Sequence, residues 1–264
     1  VRVGPLAAGA LTRGARGRVV SVHRRAVNLR LEDGLLLVLL PEGTPIHPWA
    51  LAAPLDCSRL RPGDAVVVAE DALEAGPLLV TLEGAEFVEL RLRARPNAWP
   101  AEAARVVSEH LPPRPPDDPF ETILTPALAR FSAGGEARDL VTLVGLGEGL
   151  TPSGDDALVG VLAGLDALAD ADGDALAERR ALAEALEPVT GERTSALSAQ
   201  MLAAASAGLY AEPVLWMAQS LSGETATAEE AAKALLGMGH RSGLDTLRGL
   251  AAALARAQRR AGYL

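Results

Sequence analysis

VTLVGLGEGLTPSGDDALVGVLAGL, residues 141–165, is where the character of the chain turns over. It opens on a short apolar run, breaks at Gly145, Gly147 and Gly149, and resumes with apolar residues at helical spacing. The opening run predicts a strand over 139–144. The continuation predicts a buried helix, with Leu158, Val161, Leu162, Leu165 and Leu168 on one face. Between the two stand Thr151, Pro152, Ser153, Gly154 and the paired acids Asp155 and Asp156. Glycines, hydroxyls and acids at this density exceed what a plain connection needs. Loops held on a rigid scaffold are where binding and chemistry concentrate, so this stretch is the candidate active centre.

Upstream of it the pattern is short and β-like. Strands are expected over 18–23, 26–31 and 35–40, with Glu32-Asp33-Gly34 as a hairpin turn. Residues 41–54 are proline-rich and read as an irregular excursion carrying His47 and Trp49. Further strands are expected over 65–69, 77–82 and 86–93, which suggests a small antiparallel sheet or barrel. A helical pattern over 98–111 ends at PPRPPDDP, residues 112–119, which continues neither a helix nor a central strand. Downstream, after a short helix over 120–130 and a break at Gly134-Gly135, helices are expected over 175–186 (ended by Pro188), 194–207 (Gly208 as cap) and 213–221. Thr227 and Glu230 form a capping box for another helix that Gly237 ends, and a last helix runs to about Arg260. The expected fold class is α+β. A β-rich N-terminal domain (1–111), a Pro-rich linker (112–119) and a mainly helical domain (120–264) carrying the glycine-rich loops make it up.

The 264 residues suffice for a proper core, and their hydrophobic fraction of 49% with 3% aromatics makes that core aliphatic. A net charge of -9 excludes non-specific nucleic-acid binding, which needs basic surface. Cys57 is the single cysteine, which leaves no internal disulfide and no thiolate cluster. No signal-peptide pattern and no long charge-free apolar run is present, so the expectation is a cytoplasmic protein with no membrane partner.

The octet Ser153-Gly154-Asp155-Asp156-Ala157-Leu158-Val159-Gly160 has an echo in Ser242-Gly243-Leu244-Asp245-Thr246-Leu247-Arg248-Gly249. Both read S-G-x-D-x-L-x-G, and both follow a glycine-rich loop and open an apolar helix. One reading is two well-capped helices, with serine as N-cap and an acid in the first turn. The sharper reading has both N-termini opposed across one cavity, their amides holding the two ends of a small dianion. Asp155 and Asp156 then have three open roles: capping while orienting Arg193 or Arg241, holding Mg²⁺, or serving as a general base raised by its neighbour. No cofactor is otherwise indicated. GxxxxG at 149–154 is followed by Asp155 where a phosphate loop needs Lys, and Gly145, Gly147 and Gly149 lack dinucleotide-fold spacing.

His240, between glycine and Arg241, is a candidate proton-transfer group. Arg193, Thr194 and Ser195 open the next helix and could add a cation and hydroxyls, or merely cap it through Thr194. His47, His110 and Cys57 carry no partner pattern and read as structural.

GLGEGLTPSGDDALVG, RTSALSAQMLAAASAG and GMGHRSGLDTLRG, in this order, resemble the AllH family, and VVSVHRRAVNLRLEDGLLLVLL resembles its N-terminal half. The resemblance implies a subunit associated with oxamate carbamoyltransferase in purine (allantoin) breakdown, where oxalurate and phosphate give oxamate and carbamoyl phosphate. It also implies action together with two other protein subunits. Arg241 stands where a GHSSG-like loop would have a second serine, and Glu148 replaces an uncharged residue.

The expected function is therefore an AllH-like carbamoyltransferase subunit that binds a small anion, phosphate or carboxylate, at paired helix N-termini. Gly147, Gly149, Thr151, Ser153, Gly154, Arg193, Thr194, Ser195, Arg241, Ser242, Gly243 and Asp245 would bind it. Asp155, Asp156 and His240 would move protons. The alternatives are a non-catalytic assembly or metabolite-sensing subunit, and an independent Mg-dependent phosphate-handling enzyme using Asp155 and Asp156.

Overall fold

The computed structural model describes residues 1–11, 14–69, 71–93, 105, 107–112, 119–170, 172–221 and 228–262. The chain divides into two compact units, Val1–Leu90 and Arg91–Leu264. The fold is α+β, a curled N-terminal sheet followed by a helical region. Of the expected linker, residues 113–118 lie outside the described residues, as do most of the start of the 98–111 helix and Thr227 of the capping box.

In the first unit the strands are β1 (Arg2–Val3), β2 (Arg16–His23), β3 (Ala26–Leu31), β4 (Leu36–Pro41), β5 (Ala50–Ala53), β6 (Ala65–Val68), β7 (Ala72–Ala75), β8 (Leu78–Thr81) and β9 (Glu86–Phe87). They form one sheet in the order β8-β7-β6-β2-β3-β4-β5-β1-β9. The 26–31 strand falls where its alternation puts it: Val27, Leu29 and Leu31 point into the core and their neighbours out. Gly34 takes φ 88° in the β3–β4 turn, and the Leu35 amide donates to Asp33 Oδ1 at 3.0 Å.

Several expectations are corrected here. The proline-rich excursion contains β5, which pairs parallel with β4, so the sheet is mixed rather than purely antiparallel. β4 is buried on both faces, and the continuous run LLVLL is the mark of such a strand. The strand expected over 86–93 shortens to Glu86–Phe87. Three elements escaped the pattern: β1, β7 and the helix α1 (Pro5–Leu11), which packs Ala7, Ala10 and Leu11 into the core.

The second unit holds α2 (Glu121–Ser132), a 3₁₀ segment (Ala137–Leu143), α3 (Ser153–Leu168), α4 (Gly173–Arg193), α5 (Ala196–Ser206), α6 (Glu212–Ser220), α7 (Ala228–Leu236) and α8 (Ser242–Arg260). The strand expected before the glycines is the 3₁₀ segment. Its buried residues Ala137, Leu140 and Leu143 recur every third position, the 3₁₀ repeat, and it sits among helices. α3 is buried from Gly154 to Leu165 without a break, which makes it the central helix of the unit.

α4 does not stop at Pro188 but runs on to Arg193. Proline there removes one helical hydrogen bond, and tertiary contacts hold the far end instead. The Arg193 guanidinium donates to the Val141 carbonyl at 3.3 Å, and the Arg193 carbonyl lies against Gly145. At the other end of α3, Asp166 pairs with Arg179 at 2.8 Å and accepts the Tyr210 hydroxyl at 2.6 Å. Burial, and then that carboxylate, push the Tyr210 phenol well up, so it stays a donor.

Candidate functional site

α3 and α8 touch backbone to backbone. A Cβ on Gly160 would stand 1.9 Å from the Thr246 carbonyl oxygen, and one on Gly249 would stand 1.9 Å from that of Ala157. Gly160 and Gly249 are the eighth residues of the two echoing octets, and Ala157 and Thr246 the fifth. Exchanging the octets exchanges the contacts. The repeated sequence is therefore a local two-fold crossing device, and these glycines serve helix packing. Contacts rise together along both helices, from Gly160 with Thr246 to Gly164 with Ala253. The helices are parallel, and their N-termini lie side by side rather than opposed.

The polar groups obey the same exchange. The Asp156 carboxyl is hydrogen-bonded by Ser242 and Thr151, whose hydroxyl oxygens are 3.0 Å apart. Reciprocally, Asp245 is held by Ser153. Each acid is thus held by the serine of the other octet. Neither serine caps its own helix: Pro152 and Arg241 occupy the cap positions and make no side-chain cap bond. Two adjacent N-termini concentrate positive dipole ends, and Asp155, Asp156 and Asp245 in the first turns offset them.

Burial pushes the Asp156 carboxyl up to about 7, and the nearby Asp245 and Asp155 push the same way against the Ser242 and Thr151 hydroxyls. Burial also raises Asp245, while Ser153, Arg248 and Arg241 pull it back down. Asp156 accordingly titrates near neutrality and can donate as well as accept a proton.

Arg248 donates to Asp245 Oδ1 at 3.0 Å and also to Glu121 Oε1. Glu121 sits in the first turn of α2, accepts the Thr125 hydroxyl at 2.7 Å and lies 4.0 Å from Arg241 Nη2. Glu121, Arg241, Arg248 and Asp245 form a charge cluster that brings the start of α2 to the starts of α3 and α8.

Asp155 does something else. Its Oδ1 accepts the Gly145 amide at 2.8 Å, and its Oδ2 accepts the hydroxyls of Thr194 and, at 2.6 Å, of Ser198. It bolts the start of α3 to the start of α5 and to the loop before it, with both oxygens committed to protein donors. Gly145 sits at φ 77° with its Cα 's open side against the Arg193 carbonyl, where a Cβ would come within 2.0 Å. Thr194 does not cap α5. Ser195 does, accepting the Ser198 amide at 3.0 Å while its hydroxyl donates to the Leu150 carbonyl.

The amides expected to meet an anion are partly spent. Gly154 donates to the Leu146 carbonyl at 2.7 Å and Gly243 to that of Met238 at 3.2 Å. Gly149 and His240 are exposed, Gly147 is half-buried against Ser153, and Arg193 is turned to the 3₁₀ segment. Thr151, Ser153, Asp156, Arg241, Ser242 and Asp245 are thus brought together, with Asp155, Thr194 and Ser195 behind them. Among the described residues no group of three or more His, Cys, Asp or Glu side chains is placed to hold a metal ion. No helix among them is long and apolar enough to cross a membrane.

Sequence reasoning missed Glu121, Ser198 and Arg248. Arg248 was findable, since it follows Asp245 by three residues on one helix face. Ser198 and Glu121 carried no local signal.

The family model described as oxamate carbamoyltransferase subunit AllH matches residues 143–254, which contain both octets and every element between them. The AllH family N-terminal domain matches residues 5–87, nearly the whole of the sheet unit. No solved structure matches the chain. With both halves matched in order, and with the octets forming the crossing of α3 and α8, the chain belongs to the AllH family, the oxamate carbamoyltransferase subunit family.

Proposed function

We propose that this chain serves a carbamoyltransferase assembly by binding a small carboxylate- or phosphate-bearing substrate where the N-termini of α3 and α8 join. The observation that carries the reading is the Asp156 carboxyl, raised to about 7 and held between the Thr151 and Ser242 hydroxyls at that junction. A carboxyl titrating near neutrality suits proton transfer to or from an amide-type leaving group. The positive helix ends and Arg241 favour an anionic ligand beside it. With the Gly154 and Gly243 amides engaged, the donors this chain offers are the hydroxyls of Thr151, Ser153 and Ser242, which would turn from Asp156 and Asp245 to meet the ligand. His240, exposed on the adjoining loop, is the second proton-transfer candidate.

Titrating the chain with oxamate, phosphate and carbamoyl phosphate by calorimetry tests the binding. Ser242→Ala should weaken it about tenfold, the loss of roughly one hydrogen bond to a charged group. Catalysis is tested separately, in the presence of the other transferase subunits. Full activity in an Asp156→Asn, His240→Ala double variant removes the chemistry from this chain. The reading would then become a non-catalytic assembly or metabolite-sensing subunit, which the structural commitment of Asp155 and Asp245 already favours as second choice.

A further inference from the structure

The solvent face of the N-terminal sheet carries arginines in an unfavourable arrangement. Arg18 on β2 is the direct cross-strand partner of Arg30 on β3, both exposed, with Arg16 two residues along on the same face. Like charges directly opposite one another destabilise an antiparallel pair. Among the described residues no carboxylate forms an ion pair with Arg16, Arg18 or Arg30. The same face continues from Arg16 through its partner Val67, then Glu74, to Leu79 on the edge strand β8. Val67 is 38% exposed, Leu79 62%, and Val20, beside Arg18 at the β2 bulge, 42%. Exposed apolar side chains interleaved with arginines are the composition of a protein interface rather than of a solvated surface.

We propose that this face, Arg16, Arg18 and Arg30 with Val20, Val67 and Leu79, docks an acidic, partly apolar surface of a different protein chain. The carboxylates of that surface would relieve the repulsion between Arg18 and Arg30. Its apolar side chains would cover Val20, Val67 and Leu79. The interleaved aliphatic residues favour a protein over a nucleic acid, which would want a broader basic surface and aromatic stacking than a chain of net charge -9 offers. The proposal rests on the reading of this chain as one subunit of an assembly.

The test is co-expression of the tagged full chain with the other transferase subunits, followed by sedimentation at 50 and 500 mM salt (both roughly bracketing physiological screening). The Arg18→Glu, Arg30→Glu double variant should weaken the complex at least about tenfold at low salt, and high salt should weaken the wild-type complex likewise. The variant alone should melt close to wild type, because one like-charged cross-strand pair replaces another. Arg16→Gln, Arg18→Gln is the milder variant should the reversal not fold. A wild-type complex that both variants form equally well overturns the face and leaves the assembly reading intact. A wild type that forms no complex at all overturns both. Self-association of the isolated chain, or binding to a duplex oligonucleotide or an anionic vesicle, that the reversal abolishes assigns the face elsewhere and overturns the proposal too.

Discussion

Replacing Gly160 by alanine tests whether α3 and α8 must touch. The new Cβ would lie 1.9 Å from the Thr246 carbonyl oxygen and 2.9 Å from the Leu250 nitrogen, both backbone atoms of a buried helix. Reaching ordinary contact at 3.4 Å requires the helices to part by about 1.5 Å. Overpacking of this kind costs about 1–3 kcal/mol, and more when backbone must move. Parting the helices also loosens the Ser242–Asp156 and Ser153–Asp245 bonds, worth about 1 kcal/mol each. Against this, alanine gains up to about 1 kcal/mol of helix propensity over glycine. The net is a destabilisation of roughly 2–4 kcal/mol, which lowers the melting temperature by roughly 5–15 °C in a unit of this size. Gly191→Ala is the internal control, because a Cβ there meets nothing within 4 Å. It should gain about 0.5–1 kcal/mol and melt slightly higher. Differential scanning calorimetry of the two variants decides the matter. A Gly160→Ala chain that melts at or above wild type would falsify the backbone contact and, with it, the paired geometry of the site.

The neighbouring acids should respond oppositely to the same change. Asp156 has its folded pKa raised to about 7 from 3.8, so the folded state holds a proton the unfolded state has lost. Stability tied to this group is full below about 4, falls as pH rises through about 7, and is flat beyond. Asp156→Asn should abolish that decline and melt higher than wild type at pH 8, with the advantage shrinking toward pH 4; a decline that persists unchanged in the variant refutes the assignment. Asp155→Asn, by contrast, turns an amide donor toward the Gly145 amide or the Thr194 and Ser198 hydroxyls and should cost about 1–3 kcal/mol, read by chemical denaturation. Glu121→Ala leaves Arg248 facing Asp245 alone and, as the breaking of a largely buried charge cluster, should cost about 3–5 kcal/mol, whereas an effect under 1 kcal/mol would mean solvent already screens the cluster. His240→Ala should leave the melting temperature unchanged, since the side chain is exposed, and any activity lost is then chemical rather than structural.

Much of this was legible in the residues. The 26–31 strand and its turn were readable because one face is buried and the other is not, so alternation reports the sheet directly. The echo of S-G-x-D-x-L-x-G located the junction and named four of the residues that meet there, Ser153, Asp156, Ser242 and Asp245. What it could not give was direction. Opposed and parallel N-termini have the same local sequence, and only the long-range contact of Gly160 with Thr246 separates them. The same holds for the serines: local propensity makes Ser153 and Ser242 caps, and a tertiary partner in each case takes the hydroxyl instead. The run read as a strand before the glycines failed for another reason. Apolar residues at 140, 141, 143 and 144 satisfy a two-residue and a three-residue repeat almost equally, and the helical surroundings decide. Asp155 and Asp156 are indistinguishable in sequence. One points to α5 and the other to α8 because adjacent helix positions lie about 100° apart around the axis.

The crossing of α3 and α8 also has a meaning in time. Thr151 and Ser242 are 91 positions apart, and every contact of the exchange spans a comparable stretch of chain. Closing so long a loop costs entropy before any of the buried bonds can repay it. During synthesis the first octet therefore leaves the ribosome well before its mate, with Asp156 in water and ionised. The carboxyl near neutrality does not exist in the nascent chain; it comes into being only when the last helix docks and burial takes hold. A chain halted before residue 242 would carry the whole opening motif and none of its chemistry.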